Sequence, residues 1–269
     1  MGGHAGYRSV DPALGLRFAD FGSAVFEPGA VIDNRYFPLG PTYKSTVSAT
    51  GIDEEGEEFS EESQLSFGGA GRTILGIQTT VQRDLAFEDG LLVEDTFDYY
   101  AQDTTGNVWY MGEDVVNYVY DDDDNLIETN NESAWIAGEN GAVPGWIMPA
   151  EPVIGLAYFQ EVAAADDALD EALIWGTGLT LEVGGTVFDD VIAIYETTVL
   201  DPDAREFKYY APGIGLIRVE EGLDENLSNP ELVFDLVAVS EVPLPASLPM
   251  LLAALAAGCA LGRRHRGSR

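Results

Sequence analysis

The sequence predicts an all-β protein, an antiparallel meander folded as a sandwich or a half-barrel with at most one short helix, followed by a hydrophobic helix at the C-terminus. Short segments rich in Val, Ile, Thr, Phe and Tyr recur along the chain, as is typical of strands. Turns that contain Gly, Pro, Asp or Asn separate these segments at short intervals. Apolar residues make up 46% of the chain, which is enough for a packed core.

The pattern divides the chain into three regions. Residues 1–30 are glycine-rich and form an irregular N-terminal arm, residues 31–241 form the β domain, and residues 242–269 form a separate C-terminal segment. Within the domain, the pair Asp89-Gly90 lies between two β-rich segments and predicts a tight hairpin. The predicted strands span residues 42–50, 74–87, 91–100, 107–111, 115–120, 158–162, 179–183, 187–200, 206–211, 216–220 and 232–239.

Three stretches of the domain lack a strand pattern. Gly and Pro are frequent in residues 135–152, which predicts a loop. Residues 163–175 are rich in Ala and fit either a short helix or an irregular connection. Residues 68–73 are rich in Gly, but Arg72 stands where a phosphate-binding loop carries Lys, so we interpret them as a turn.

One short pattern occurs twice in the domain. Residues 97–101 read FDYYA and residues 207–211 read FKYYA, and a glycine-marked turn follows each of them. The repetition indicates either a duplicated strand-turn-strand unit or the β propensity that aromatic residues share.

The charge of the domain excludes nucleic acid as a partner. Nine basic residues stand against forty-seven acidic residues before residue 242, which gives a formal charge of −38. Phosphate groups are repelled by such a surface. Because like charges within the domain also repel one another, we expect salt or bound divalent cations to stabilise it.

Few residues in the domain are suited to catalysis. The two histidines, His4 and His265, lie in the arm and in the C-terminal segment, which also contains the single cysteine, Cys259. A serine or cysteine triad and a thiolate metal site are therefore not expected. Lys208 is interpreted as a surface cation paired with nearby acids. The sequence predicts a protein that is not an enzyme and needs no cofactor, with a carboxylate-dependent glycoside hydrolase as the catalytic alternative.

Two sets of residues suggest ligands for a binding protein. A run of acids offers oxygen ligands to Ca²⁺, although it is also typical of a solvated hairpin tip. The run consists of Asp121, Asp122, Asp123 and Asp124. Exposed tryptophans on one face would form a stacking platform for a glycan, whereas buried ones belong to the core. The tryptophans are Trp109, Trp135, Trp146 and Trp175.

The C-terminal segment combines a proline-rich motif, an apolar run and a basic end. The motif consists of Val242, Pro243, Leu244, Pro245 and Ala246. The apolar run, residues 248–261, spans about 21 Å as a helix against about 30 Å for the hydrocarbon of a bilayer, so it is a short membrane segment. The basic residues Arg263, Arg264 and Arg266 favour a cytoplasmic end, with the domain on the opposite side of the membrane.

This order of parts resembles the PEP-CTERM class of bacterial sorting signals, specifically its VPLPA-CTERM variant. The resemblance implies that a Gram-negative bacterium holds the tail in its inner membrane and that an exosortase-type protease removes it there. It implies that Pro243 and Pro245 are the recognition element and that the three arginines are the cytoplasmic stop. The alternatives are a plain tail anchor and a helix packed on the domain. Because no export signal is visible in residues 1–29, we expect it upstream of Met1.

Runs in the body are similar to a group of exported bacterial β-rich domains of unassigned activity. The similar runs are residues 88–114, 145–155 and 208–216. The resemblance implies an exported β domain and no particular chemistry. We therefore predict a protein that passes through the inner membrane, lies on its periplasmic side in transit, and reaches the cell surface or the extracellular matrix. There it would have a structural or binding role, with a surface polysaccharide or Ca²⁺ as alternative ligands.

Overall fold

The computed structural model describes residues 17–41, 43–52 and 56–239, and it confirms the all-β class. These residues contain one turn of 3-10 helix, Phe21–Ser23, and seventeen strands. The strands are β1 (Ile32–Asp33), β2 (Pro38–Leu39), β3 (Lys44–Ile52), β4 (Glu58–Ile74), β5 (Ile77–Glu88), β6 (Leu91–Gln102), β7 (Val108–Tyr120), β8 (Leu126–Asn130), β9 (Trp135–Ile136), β10 (Val143–Met148), β11 (Ala157–Phe159), β12 (Glu161–Val162), β13 (Asp170–Val183), β14 (Thr186–Thr198), β15 (Arg205–Ala211), β16 (Gly215–Glu221) and β17 (Leu232–Val239).

The C-terminal segment lies outside the described residues. This holds for the predicted helix, the proline-rich motif, the apolar run and the arginines after it. Within the described ranges, no helix is both long and apolar enough to cross a membrane.

Most strands form one antiparallel sheet that is nearly closed. The strand order is β11-β13-β14-β15-β16-β17-β3-β4-β5-β6-β7-β10-β12, and β8 and β9 also pair with β7. The two ends of this order, β11 and β12, belong to one continuous segment. Between them, the amide of Gln160 donates to the carbonyl of Asp170 at the start of β13, while Val162 on β12 pairs with Val143 on β10. The sheet therefore closes at this segment and encloses an interior.

The hairpin predicted at Asp89-Gly90 is confirmed. Strands β5 and β6 pair up to Glu88 and Leu91. Both turn residues adopt a left-handed backbone, with φ of 48° at Asp89 and 83° at Gly90. A turn with two consecutive left-handed residues matches the twist of the flanking strands, and an Asp-Gly pair adopts this conformation readily.

The interpretation of residues 68–73 as a turn is wrong. They belong to β4, and the chain turns at Leu75 and Gly76, which have positive φ angles. Gly68 and Gly71 serve close packing, because a Cβ at either position would collide with the side chain of Val81 on β5. Glycine here marks a close approach of two strands and not a break between them.

The loop predicted for residues 135–152 contains two strands, β9 and β10. Gly145 permits this arrangement, because a Cβ at this position would collide with the carbonyl oxygen of Phe159 on β11. Residues 163–175 form no helix. The amide of Ala163 donates to the carbonyl of Ala168 across a tight turn, and β13 begins two residues later.

One end of the enclosed interior is apolar. Trp109, Tyr158 and Ile192 are almost completely buried there, in a cluster supplied chiefly by β6, β7, β10 and β14. The described part of the N-terminal arm packs against this cluster, with the rings of Phe21 and Phe26 at 5.2 and 6.3 Å from the ring of Trp109. Residues 17–30 of the arm therefore contribute to the core, although one turn of 3-10 helix is their main regular element.

A buried carboxylate fixes the turn between β6 and β7. Asp103 accepts hydrogen bonds from the backbone and side chains of Thr105 and Asn107, and from the indole of Trp109 at 2.8 Å. Burial raises the pKa of Asp103, but these hydrogen bonds outweigh it and hold the pKa below its usual value. A charged Asp103 thus ties the turn to the apolar core.

Candidate functional site: an acid-lined cavity

The other end of the interior holds a cavity of about 530 Å³. This volume is typical of sites for small molecules. The wall combines apolar side chains, four tyrosines and eleven acidic residues, and Lys208 is the one basic residue among the described residues that line it. The cavity is therefore strongly acidic.

The alternation of side chains along a strand places these polar groups inside. On β15, Glu206, Lys208 and Tyr210 line the cavity. The residues between them point to the opposite face. Phe207 and Tyr209 pack there in a second apolar cluster on the outside of the sheet. In this part of the protein the interior face is polar and the outer face is apolar.

Two carboxylates hold the ammonium group of Lys208. Its Nζ donates to Glu196 Oε2 at 2.8 Å and to Glu206 Oε1 at 3.0 Å. The side-chain amide of Gln160 donates to the other oxygen of Glu196 at 3.0 Å. Burial by itself lowers the pKa of Lys208, but the two carboxylates outweigh it and raise the pKa well above its usual value. The predicted pairing with acids is confirmed, whereas the predicted surface position is wrong because Lys208 faces the cavity.

Two other carboxyl groups share one tyrosine. The hydroxyl oxygen of Tyr110 lies 2.7 Å from Asp98 Oδ1 and 2.8 Å from Glu113 Oε2. A tyrosine hydroxyl has one proton to donate, so both hydrogen bonds form together only when one carboxyl group is itself protonated and donates to the tyrosine oxygen. Burial raises the pKa of Asp98 well above its usual value and that of Glu113 to about 7. The three groups therefore hold an extra proton near neutral pH.

Glu161 contributes a carboxylate oxygen with no partner. The residue lines the cavity and is only 5% exposed, and its Oε2 accepts no hydrogen bond from the described residues. Burial and the charges of Asp170 and Glu113 raise its pKa, and the nearby indole of Trp135 acts in the opposite direction without reaching hydrogen-bond geometry. Among the described residues, Glu161 Oε2 and the nearby Trp135 Nε1 are thus both buried without a hydrogen-bond partner.

The mouth of the cavity is acidic as well. A second pocket of about 290 Å³ shares Asp170, Glu196, Glu206 and Glu221 with the cavity and lies beside it. Asp170 is exposed, so this side is open to solvent. Burial and the charge of Glu206 raise the pKa of Glu221 to about 7. A ligand that enters here passes carboxyl groups first.

The acidic run that suggested Ca²⁺ lies in the exposed turn between β7 and β8, and none of its four residues lines the cavity. Asp121 uses its carboxylate within the turn, where it accepts from the amides of Asp123 and Asn125 at 3.1 and 2.9 Å. In the part of the chain that the structure describes, no three or more Asp, Glu, His or Cys residues are placed to hold a metal ion. The hydrogen bonds within the turn account for the position of the Asp121 carboxylate.

The tryptophans do not form an exposed platform. Trp109 and Trp135 are buried, with 1% and 2% of their surface exposed. Trp146 and Trp175 are half-buried and pack against other aromatic rings. The tryptophan-based site for a glycan is therefore not supported, and the four side chains serve packing.

The acids of the cavity were not identified from the sequence. One signal was present in the sequence: charged residues alternate with aromatic ones along the predicted strands, as at Asp98 and Lys208. With forty-seven acidic residues in the chain, this signal could not distinguish interior acids from surface acids.

Comparison with known proteins gives one distant structural similarity. No protein-family model matches the chain, and no curated protein is similar to it in sequence. The crystal structure of a "putative lipoprotein" from Parabacteroides distasonis aligns with 77% of this chain and 100% of its own chain, at 13% identity and a TM-score of 0.31. A similarity at this level assigns neither family nor function.

Proposed function

We propose that this protein is an exported binding protein of the cell surface or extracellular matrix that takes a small polar ligand into the acid-lined cavity. The observation that carries the proposal is the cavity, with eleven acids against one lysine in a volume suited to a small molecule. Burying carboxylates costs stability unless a partner compensates for the lost hydration. A ligand that enters through the acidic mouth would supply this compensation.

The geometry favours binding over hydrolysis. A glycoside hydrolase places the scissile bond between two carboxyl groups. Asp98 and Glu113 are joined through hydrogen bonds to Tyr110, whose hydroxyl occupies the space between them. Hydrolysis of a polysaccharide that disappears in Glu113→Gln, with an unchanged melting temperature, would contradict a binding role.

The proposed route of export rests on the C-terminal motif. Residues 242–246 together with the apolar run and the arginines support processing by an exosortase-type protease at the inner membrane. We expect the mature surface form to end near Ala246, as intact-mass spectrometry would measure. Recovery of Arg269 from the surface form would contradict this route.

Access to the cavity can be tested by thiol labelling of the full chain. Ser63 lines the cavity and donates to Asp84 at 2.7 Å. In a Cys259→Ser background, Ser63→Cys should react with methyl methanethiosulfonate in the folded protein, and a bound ligand should slow the reaction. Thr104→Cys, in an exposed turn, should react in both cases and serves as the control. A Ser63→Cys thiol that reacts only after unfolding would contradict a ligand-accessible cavity.

A further inference from the structure

We propose that the ligand of the cavity is an aliphatic amine with two or more ammonium groups, a diamine or a linear polyamine. This inference rests on the proposed binding function. The wall contains eleven acids and one lysine, so an incoming cation meets many carboxyl groups that are charged or can release a proton to accept from it, and few bases that compete for them. An anion would meet repulsion at the mouth and in the interior.

The protein already shows how this cavity holds a primary ammonium group. Lys208 is bound by two carboxylates, those of Glu196 and Glu206, at 2.8 and 3.0 Å. The side-chain amide of Gln160 orients Glu196 by donating to its other carboxylate oxygen. A primary amine brought by a ligand has the same three donors as a lysine and would need the same kind of acceptors.

A second group of carboxyl oxygens in the cavity has no basic partner among the described residues. It consists of Asp98 and Glu113, which Tyr110 holds together, and of Glu161 with its unpaired Oε2. Within the described residues, no salt bridge joins any of these three acids to Lys or Arg. The unpaired Oε2 of Glu161 is an observation separate from the number of acids in the wall, and a donor brought by a ligand would satisfy it.

The distribution of the acids favours an extended cation over a metal ion. No group of three or more possible metal ligands is gathered at one point in the described part of the protein, whereas Ca²⁺ requires many oxygens at short range. Apolar side chains such as Leu65 and Val219 lie in the same wall, together with the rings of Tyr100 and Tyr210. Methylene groups would pack on these side chains, and ammonium groups also bind favourably to aromatic faces.

The test is isothermal titration calorimetry of the full chain with putrescine, spermidine, butylamine, CaCl₂ and glucose at constant ionic strength. We expect putrescine and spermidine to bind with a stoichiometry of one, and butylamine to bind about tenfold more weakly because it lacks the second ammonium. Glu161→Gln and Asp98→Asn should each weaken putrescine binding by about tenfold. Asp122→Asn, which changes an exposed acid in the β7–β8 turn, should leave the affinity unchanged. Circular dichroism of each variant confirms that it is folded.

The outcomes separate this inference from the binding function itself. Preferred binding of glucose or Ca²⁺, or equal affinity of putrescine for the wild type and for folded Glu161→Gln, overturns the assignment to amines and leaves a binding cavity. If no amine binds while Ser63→Cys is labelled freely, the assignment to amines is also wrong. If no probe binds and Ser63→Cys is inaccessible in the folded protein, the binding function is wrong as well.

Discussion

Asp98 and Lys208 occupy the same position in two matching strand segments, FDYYA at residues 97–101 and FKYYA at residues 207–211, and both line the cavity. In each segment the pairing register shifts at the two tyrosines that follow, and the second tyrosine is buried. The same local structure thus presents an acid on β6 and a cation on β15. Lys208 is paired with Glu196 and Glu206, whereas no salt bridge joins Asp98 to any basic residue in the ranges 17–41, 43–52 and 56–239.

Replacing Lys208 by Met should strongly destabilise the protein. The change leaves Glu196 buried without its charged partner, and losing one member of a buried ion pair costs about 3 to 5 kcal/mol. Chemical denaturation would measure the loss in the free energy of unfolding. Lys44→Met is the matched control, because the one side-chain hydrogen bond of Lys44 to the described part of the chain is a long contact of 3.5 Å with Gln64. This variant should cost less than about 1 kcal/mol. Equally small losses for both variants would contradict the role given to Lys208.

Stability should decrease as the pH rises from about 5 to about 8. The pKa is about 6 for Asp84 and about 7 for Glu113 and Glu221 in the folded protein, against about 4 in an unfolded chain. The folded state therefore binds these protons more tightly. The resulting stabilisation is fully present below the unfolded pKa and is lost as the pH rises through the folded pKa.

Thermal denaturation at constant ionic strength would check this pH dependence. The melting temperature should be highest near the acidic end of the range, at about pH 5. Glu113→Gln is neutral at every pH, so its melting temperature should decline less steeply. A wild-type melting temperature that rises towards pH 8 would show that the buried carboxyl groups do not control stability.

Gly145→Ala should prevent proper closure of the sheet. The added Cβ would collide with backbone oxygens of Phe159 and Gln160, which cannot move aside as a flexible side chain can. We expect a lower melting temperature and faster hydrogen exchange of the amides in β10 and β12. Gly40→Ala is the control, since no atom lies within 4 Å of a Cβ at that position. Unchanged hydrogen exchange in Gly145→Ala would contradict the role given to Gly145 in the closure of the sheet.

Asp103→Ala should destabilise the apolar end of the protein. It leaves the buried indole N–H of Trp109 without an acceptor, which costs about 1 to 3 kcal/mol, and it removes the four other hydrogen bonds that Asp103 accepts within the turn. Denaturant titration should therefore show a loss of about 3 kcal/mol or more. Asp201→Ala removes a similar turn carboxylate that is exposed and accepts from the amide of Asp203. This control should change stability by less than about 1 kcal/mol.

Much of the fold could be predicted from the sequence because its strands carry local signals. The Asp89-Gly90 turn and the β-rich segments on either side of it are of this kind. The prediction missed β10 and all of β4 except Ile74, and both strands contain Gly residues, which usually mark turns. At Gly68 and Gly145 the glycine serves the close approach of a neighbouring strand, which depends on residues distant in sequence.

The cavity could not be predicted because the usual orientation rule fails there. On β15, the alternation of Glu206 and Lys208 with Phe207 and Tyr209 is clear in the sequence. The rule that apolar residues face the interior would place the two aromatic side chains inside and the charged ones in solvent. The structure has the reverse orientation, because a second apolar cluster covers the outer face. Only the tertiary structure reveals which side of the strand is enclosed.

Glu161 belongs both to the short strand β12, which closes the sheet, and to the wall of the cavity. Its closure with β10 consists of two residue pairs, Val143 with Val162 and Pro144 with Glu161, and proline has no amide hydrogen to donate. Few backbone hydrogen bonds therefore hold this junction, and one of its residues carries the unpaired acceptor of the cavity. If Glu161 became charged without a partner, it would require hydration, and water would have to reach the junction. A bound cation would compensate the same charge without water. A ligand cation bound at Glu161 would therefore also stabilise the pairing of β10 with β12, and we expect this junction to open less often when a ligand is bound.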